Sequence, residues 1–207
     1  MRDDVKMYVG TCVKCQKDNK NNKRVAGPMH PIYASCPGEI LTLDFVSGMA
    51  PAKRTGNTYC LIICDKFSRF VMCTAYAATV NAEETARMFA RRVVPIFGLP
   101  MKVISDRGPQ FTAALWKTFL RSMGCDRVLA TSHHPQTDGL SERNVQTFIH
   151  LLRAYAMEVK DQWENYLPHF EMAINSAVNN VTGKAPYQIL FGRMPRLPID
   201  VMIQEPL

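Results

Sequence analysis

Between residues 40 and 76 the chain sets down three short apolar runs, Ile40–Val46, Thr58–Cys64 and Phe70–Tyr76, separated by turn-forming residues. Runs of this length, rich in β-branched and aromatic side chains, read as strands. Asp65-Lys66-Phe67-Ser68-Arg69 joins the second to the third as a tight hairpin, and 50–57, with Pro51, Lys53, Arg54 and Gly56, reads as a turn. The period then changes. Ala86, Phe89, Ala90 and Val93 recur at helical spacing over 82–94, with Asn81 as cap and Pro95 expected to kink or end the helix. A fourth strand over 101–106 follows, then a helix near 113–123 and a fifth strand near 126–131. A long helix from Ser141 to about Val159 lines up Val145, Phe148, Ile149, Leu152, Ala156 and Val159, and a further helix spans about 163–178. This order predicts an α/β architecture, a five-stranded mixed sheet flanked by helices.

Three acids occupy singular places in that pattern. Asp44 sits inside the first apolar run, where an unpaired acid is costly to bury. Asp106 closes the fourth strand just before Arg107-Gly108-Pro109. Glu142 falls in the first turn of the long helix, and the apolar stripe that docks this helix also points its carboxylate toward the sheet. Converged without a cation, two such carboxylates about 4 Å apart would repel by about 4 kcal/mol at an effective dielectric near 20. Magnesium takes oxygen ligands of this kind, together with phosphate oxygens of a substrate. Each acid also has an ordinary reading: strand-end aspartates make turns and caps, and a first-turn glutamate suits the helix dipole. Spacing alone leaves both open. Asp65, in the hairpin connection, reads as turn chemistry.

The residues around the acids are more specific. Phe97-Gly98-Leu99-Pro100, Ile104-Ser105-Asp106-Arg107-Gly108-Pro109-Gln110-Phe111, His134-Pro135-Gln136-Thr137-Asp138-Gly139 and Ser141-Glu142-Arg143-Asn144 occur in this order. With Thr182-Gly183-Lys184-Ala185-Pro186-Tyr187 and Phe191-Gly192 downstream, the stretch from Asp44 to Arg193 resembles the retroviral-type integrase core, most closely that of gypsy-class retrotransposons. The resemblance implies a ribonuclease-H-like fold and metal-dependent processing and joining of 3′ DNA ends. It implies Asp44, Asp106 and Glu142 as catalytic ligands of Mg²⁺ or Mn²⁺, two ions in all. It also implies DNA as partner (element ends and target duplex), a homo-oligomer, and action in the nucleus. In such a pair, ions about 3.5–4 Å apart activate the attacking oxygen and stabilise the leaving 3′ oxygen. His134, Gln136, Thr137, Arg143, Asn144 and Lys160 are candidate contacts to nucleic acid; local hydrogen bonding by His133 and His134, and a solvated face for Lys160, are the plainer alternatives.

Tyr8-Val9-Gly10-Thr11-Cys12-Val13-Lys14-Cys15 resembles the end of the same family's zinc domain. Structural zinc wants four ligands, and Cys12 and Cys15 make two; His30 and Cys36 lack ligand-like spacing, so the expectation is an incomplete site without zinc. The expected organisation is a zinc-domain remnant with basic linker over 1–34, the catalytic core over 35–195 and a tail over 196–207, a fragment of a longer polyprotein. The net charge is +7. Arg2, Lys6, Lys14, Lys17, Lys20, Lys23 and Arg24 lie in the first thirty residues, and suit either phosphate binding or a solvated linker. Seven scattered cysteines read as reduced thiols of an intracellular protein, and Cys60, Cys64 and Cys73, in strand-like runs, as small buried apolar residues. No apolar stretch approaches the roughly 20 residues a membrane helix needs. Two other functions remain open: a nucleic-acid- or protein-binding module descended from an integrase but without integration activity, and a nuclease that cuts without joining.

Overall fold

The computed structural model describes residues 3, 5, 7, 8, 32–129, 149, 152 and 159–202. Its contacts divide the chain into two units, Met1–His30 and Pro31–Leu207. In the first, Asp3, Val5, Met7 and Tyr8 are helical and exposed.

The second unit is built on a five-stranded sheet: β1 (Ile40–Val46), β2 (Tyr59–Asp65), β3 (Val71–Tyr76), β4 (Lys102–Ser105) and β5 (Asp126–Leu129). The spatial order is β3-β2-β1-β4-β5. β1, β2 and β3 form an antiparallel meander, whereas β4 and β5 run parallel to β1. The sheet is therefore mixed, as the order of apolar runs predicts.

Alternation along the strands sends side chains to two cores. Leu41, Leu43, Leu61, Ile63, Met72 and Val103 face one side, where they meet α1 (Ala82–Met88), a π turn over Phe89–Val93 and α4 (Ala114–Ser122). Trp116, Phe89 and Phe111 fill this side and are fully buried. Val46, Cys60, Ile62, Cys64, Val71 and Cys73 face the other, where Ile149, Leu152, Trp163 and Leu167 cover them. Trp163 and Leu167 belong to α5 (Trp163–Ser176). Ile149, Leu152 and Val159 are helical, at positions predicted for the long helix; the rest of that helix lies outside the described residues.

Asn81 caps α1 as expected, in a capping box: its side chain accepts from the Glu84 N–H, and Glu84 reaches back to the Asn81 N–H. The helix does not end at Pro95. It widens into the π turn and continues as α2 (Val94–Phe97). A proline ring collides with the carbonyl four residues back, and a wider turn just ahead of it relieves that collision. Three short helices escaped the periodic reading: α3 (Pro109–Thr112), α6 (Pro186–Phe191) and α7 (Pro198–Met202), the last inside the expected tail. α6 begins on Pro186 and stops at Gly192, whose φ of 75° is the left-handed conformation that closes helices. α5 stops at Ser176, short of 178, because Ala177 turns extended.

Candidate active site

The ladder between β1 and β4 ends at Leu43 beside Ser105. The next residue on each chain is an acid, Asp44 on one and Asp106 on the other. Parallel neighbours lie about 4.8 Å apart, so the register brings the two positions side by side at the same end of the sheet. Leu43 and Ser105 are buried, Asp44 is partly exposed and Asp106 is exposed. The pair thus stands where the core gives way to solvent. Asp44 shares its strand face with Val46, the face that Ile149 and Leu152 cover.

Each acid is held by its surroundings. Next to Asp44, Phe45 packs on Phe111 with ring centroids 5.3 Å apart, and on Tyr76 at 6.1 Å. Phe111 lies just beyond Asp106, so this contact ties the end of β1 to the turn after β4. In that turn Gly108 donates its N–H to Asp106 Oδ1 at 3.1 Å. Gly108 has φ −54° and ψ 148°, a conformation open to any residue. A Cβ there would stand 2.5 Å from Gln110 Nε2 and 3.1 Å from Asp106 Oδ1.

Asp65 is placed by the hairpin, as read from its position. It is fully buried and accepts from the Gly38 N–H at 2.9 Å, the Ser68 N–H at 2.7 Å and the Ser68 hydroxyl. Arg69 closes the turn with φ 66°. These bonds make Asp65 an anchor between the start of β1 and the hairpin.

Lys160 is exposed, with φ 49°, at the head of a 3₁₀ turn over Lys160–Gln162. The next residue, Asp161, accepts through its carbonyl from the Lys53 N–H at 2.8 Å, which docks this turn on the β1–β2 connection. Glu142, His133, His134, Gln136, Thr137, Arg143, Asn144, Cys12 and Cys15 lie outside the described residues. Among the described residues no three His, Cys, Asp or Glu side chains cluster closely enough to hold a metal ion. Asp44 and Asp106 supply two hard oxygen donors, which suits magnesium and falls short of a closed protein cage.

A separate cluster went unread in the sequence. Glu171 on α5 accepts from the Cys73 N–H at 2.5 Å and stands 3.4 Å from Arg92 Nη2. Burial pushes its carboxyl above the ordinary range, against the pull of the Cys73 N–H and of Arg92. Burial likewise holds the Cys73 thiol well above its usual value, and the Tyr76 hydroxyl is pushed up to about 12. Cys60, Cys64, Cys73 and Cys125 are buried and outside any disulfide. Thiolates, not thiols, are nucleophiles, so Cys73 is a packing residue.

Residues 34–135 match the family described as integrase core domain. The Tf2-3 and Tf2-4 transposon polyproteins of Schizosaccharomyces pombe are each 30% identical over 203 residues, 97% of this chain and 15% of theirs. The chain thus spans about 15% of the length of these curated relatives. Among solved structures, the simian T-cell lymphotropic virus intasome in complex with PP2A regulatory subunit B56 gamma superposes with a TM-score of 0.64 at 22% identity. That match covers 96% of this chain and 69% of the other. The HTLV-2 integrase catalytic core domain in complex with magnesium gives 0.59 at 21% identity, over 76% of this chain and 99% of the other. The architecture is the ribonuclease-H-like fold of integrase catalytic cores. The chain is a homologue of the gypsy-type Tf2 retrotransposon polyproteins, and its residues 34–135 match the integrase core domain. No helix among the described residues is long and apolar enough to cross a membrane.

Proposed function

We propose that this chain is a divalent-metal-dependent DNA strand transferase, and that Asp44, Asp106 and Glu142 hold its Mg²⁺ or Mn²⁺ ions. The observation that carries the reading is the side-by-side placement of Asp44 and Asp106 one residue past the paired Leu43 and Ser105. Two carboxylates gathered at a strand end repel unless cations join them. Further support comes from Ile149 and Leu152, seven and ten positions after Glu142, which sit in the core beneath the face Asp44 shares. A solved neighbour of the same fold is an integrase core in complex with magnesium.

A bound ion pair supplies activation of the attacking oxygen and stabilisation of the leaving 3′ oxygen. The chain's own residues do the rest. The Gly108 N–H orients Asp106, and the packing of Phe45 on Phe111 keeps the β1 end against the turn after β4. His134, Gln136, Thr137, Arg143, Asn144 and Lys160 are proposed contacts to the DNA backbone, which carries most of the affinity in such complexes. The substrates are element 3′ ends and a target duplex, and the working form is an oligomer.

The test is a joining assay with the full chain, a duplex carrying a recessed 3′ end and a plasmid target. Joined product is expected with Mg²⁺ or Mn²⁺, none with a chelator, and none after Asp44→Ala, Asp106→Ala or Glu142→Ala. Product from any of the three variants overturns the site. Cutting without joining identifies a nuclease instead, and DNA binding without either reaction identifies a binding module.

A further inference from the structure

β3 forms one edge of the sheet. An edge strand offers every second residue's N–H and C=O to any strand that approaches, and so invites unwanted pairing. Asp65 donates its N–H to the Phe70 carbonyl across the hairpin. Alternation in an antiparallel pair then turns Val71, Cys73 and Ala75 outward. Four of these outward groups are already taken.

At Val71 a single side chain takes both. The Val71 N–H donates to Asn175 Oδ1 at 2.8 Å, and Asn175 Nδ2 donates to the Val71 carbonyl at 2.8 Å. A carboxamide is an amide, so this two-bond ring reproduces what a partner strand would form. At Cys73 the work is divided. Its N–H donates to Glu171 Oε1, and its carbonyl accepts from Arg92 Nη1 at 2.7 Å. Asn175 and Glu171 are four residues apart on α5, so they sit one above the other along the strand. Arg92 arrives from the helical layer on the opposite face of the sheet. The edge is therefore gripped from both sides. Asn175 is 2% exposed, a depth at which an amide is tolerated only with its bonds made.

We infer that Asn175, Glu171 and Arg92 are a side-chain plug closing the β3 edge, and that the partner it excludes is the same edge of a second copy of this chain. The occupant follows from the strand itself. Phe70-Val71-Met72-Cys73-Thr74-Ala75-Tyr76 holds no charge, no proline and no glycine, the composition that stacks on its own kind. Two antiparallel edges are also self-complementary about a two-fold axis.

Hydrogen exchange and sedimentation of the full chain test the plug together. In the parent, the Val71 and Cys73 amides should exchange slowly. Glu171→Ala should speed Cys73 by roughly tenfold or more and leave Val71 slow, with the converse for Asn175→Ala. The double variant should sediment at higher mass than the parent as concentration rises, and Glu171→Gln, which restores an acceptor oxygen, should return Cys73 to slow exchange. Leu152→Ala, a core variant that removes none of the side-chain bonds to β3, controls for lost stability. Slow Cys73 exchange in Glu171→Ala overturns the inference. So does a folded double variant with the parent's mass at every concentration, or equal association by Leu152→Ala.

Discussion

At Asp44 and Asp106 two acids follow the last paired residues of β1 and β4, and the residues around them show how the arrangement is kept in shape. Gly108 is informative because its backbone asks nothing of glycine, while a Cβ would crowd both Gln110 Nε2 and Asp106 Oδ1. Gly108→Ala should therefore melt within about 0.5 kcal/mol of the parent, as surface changes usually do. Its requirement for metal in the joining assay should rise by about tenfold, the scale seen when groups supporting a ligand are disturbed. An unchanged metal requirement would show that Asp106 does not depend on that space. Glu171 gives a second residue-scale test, on pH. Its folded carboxyl lies above the ordinary 4.5 because burial penalises the charge. Its contribution to stability is full below 4.5 and declines as pH rises through the folded value. Glu171→Gln keeps an acceptor for the Cys73 N–H and carries no charge, so urea melts across pH should show it gaining on the parent as pH rises toward neutral. A difference independent of pH would assign the burial cost elsewhere.

Elements reflect local chemistry where the chemistry is local. The capping box at Asn81 closes α1 with partners three residues apart, and Asn81→Ala should cost about 1 kcal/mol in a denaturant melt. A loss near zero would mean that packing alone fixes the helix start. Such local signals are why the five strands, α1 and the hairpin at Asp65 were legible in the amino-acid order. The apolar runs carry the period, and Asp65 carries the turn. Single-turn helices such as α3 and α7 are shorter than the window over which a helical period declares itself. Pro95 left a kink or an end open for a related reason: a proline warns of a broken hydrogen bond, and only the surrounding packing shows that a wider turn absorbs it. Long-range pairing leaves no trace in the order at all. Asn175 meets Val71 across 104 residues and Glu171 meets Cys73 across 98, so the edge plug was invisible until the fold brought them together.

For the molecule as a whole, the sheet does two things at once. Its β1–β4 seam sets the Asp44 and Asp106 positions level at one end, and its outer strand is sealed by side chains from both helical layers. The first feature was half legible: the words around Asp44 and Asp106 named the acids, but their adjacency is a property of parallel register. Anomalous diffraction from crystals of the full chain grown with Mn²⁺ would locate the ions relative to these two acids. Manganese peaks bound by Asp44 and Asp106 together, with Glu142 completing the set, are the expected result, and they should vanish when Asp106 is replaced by Asn. Manganese bound elsewhere, or peaks that persist in that variant, would contradict it.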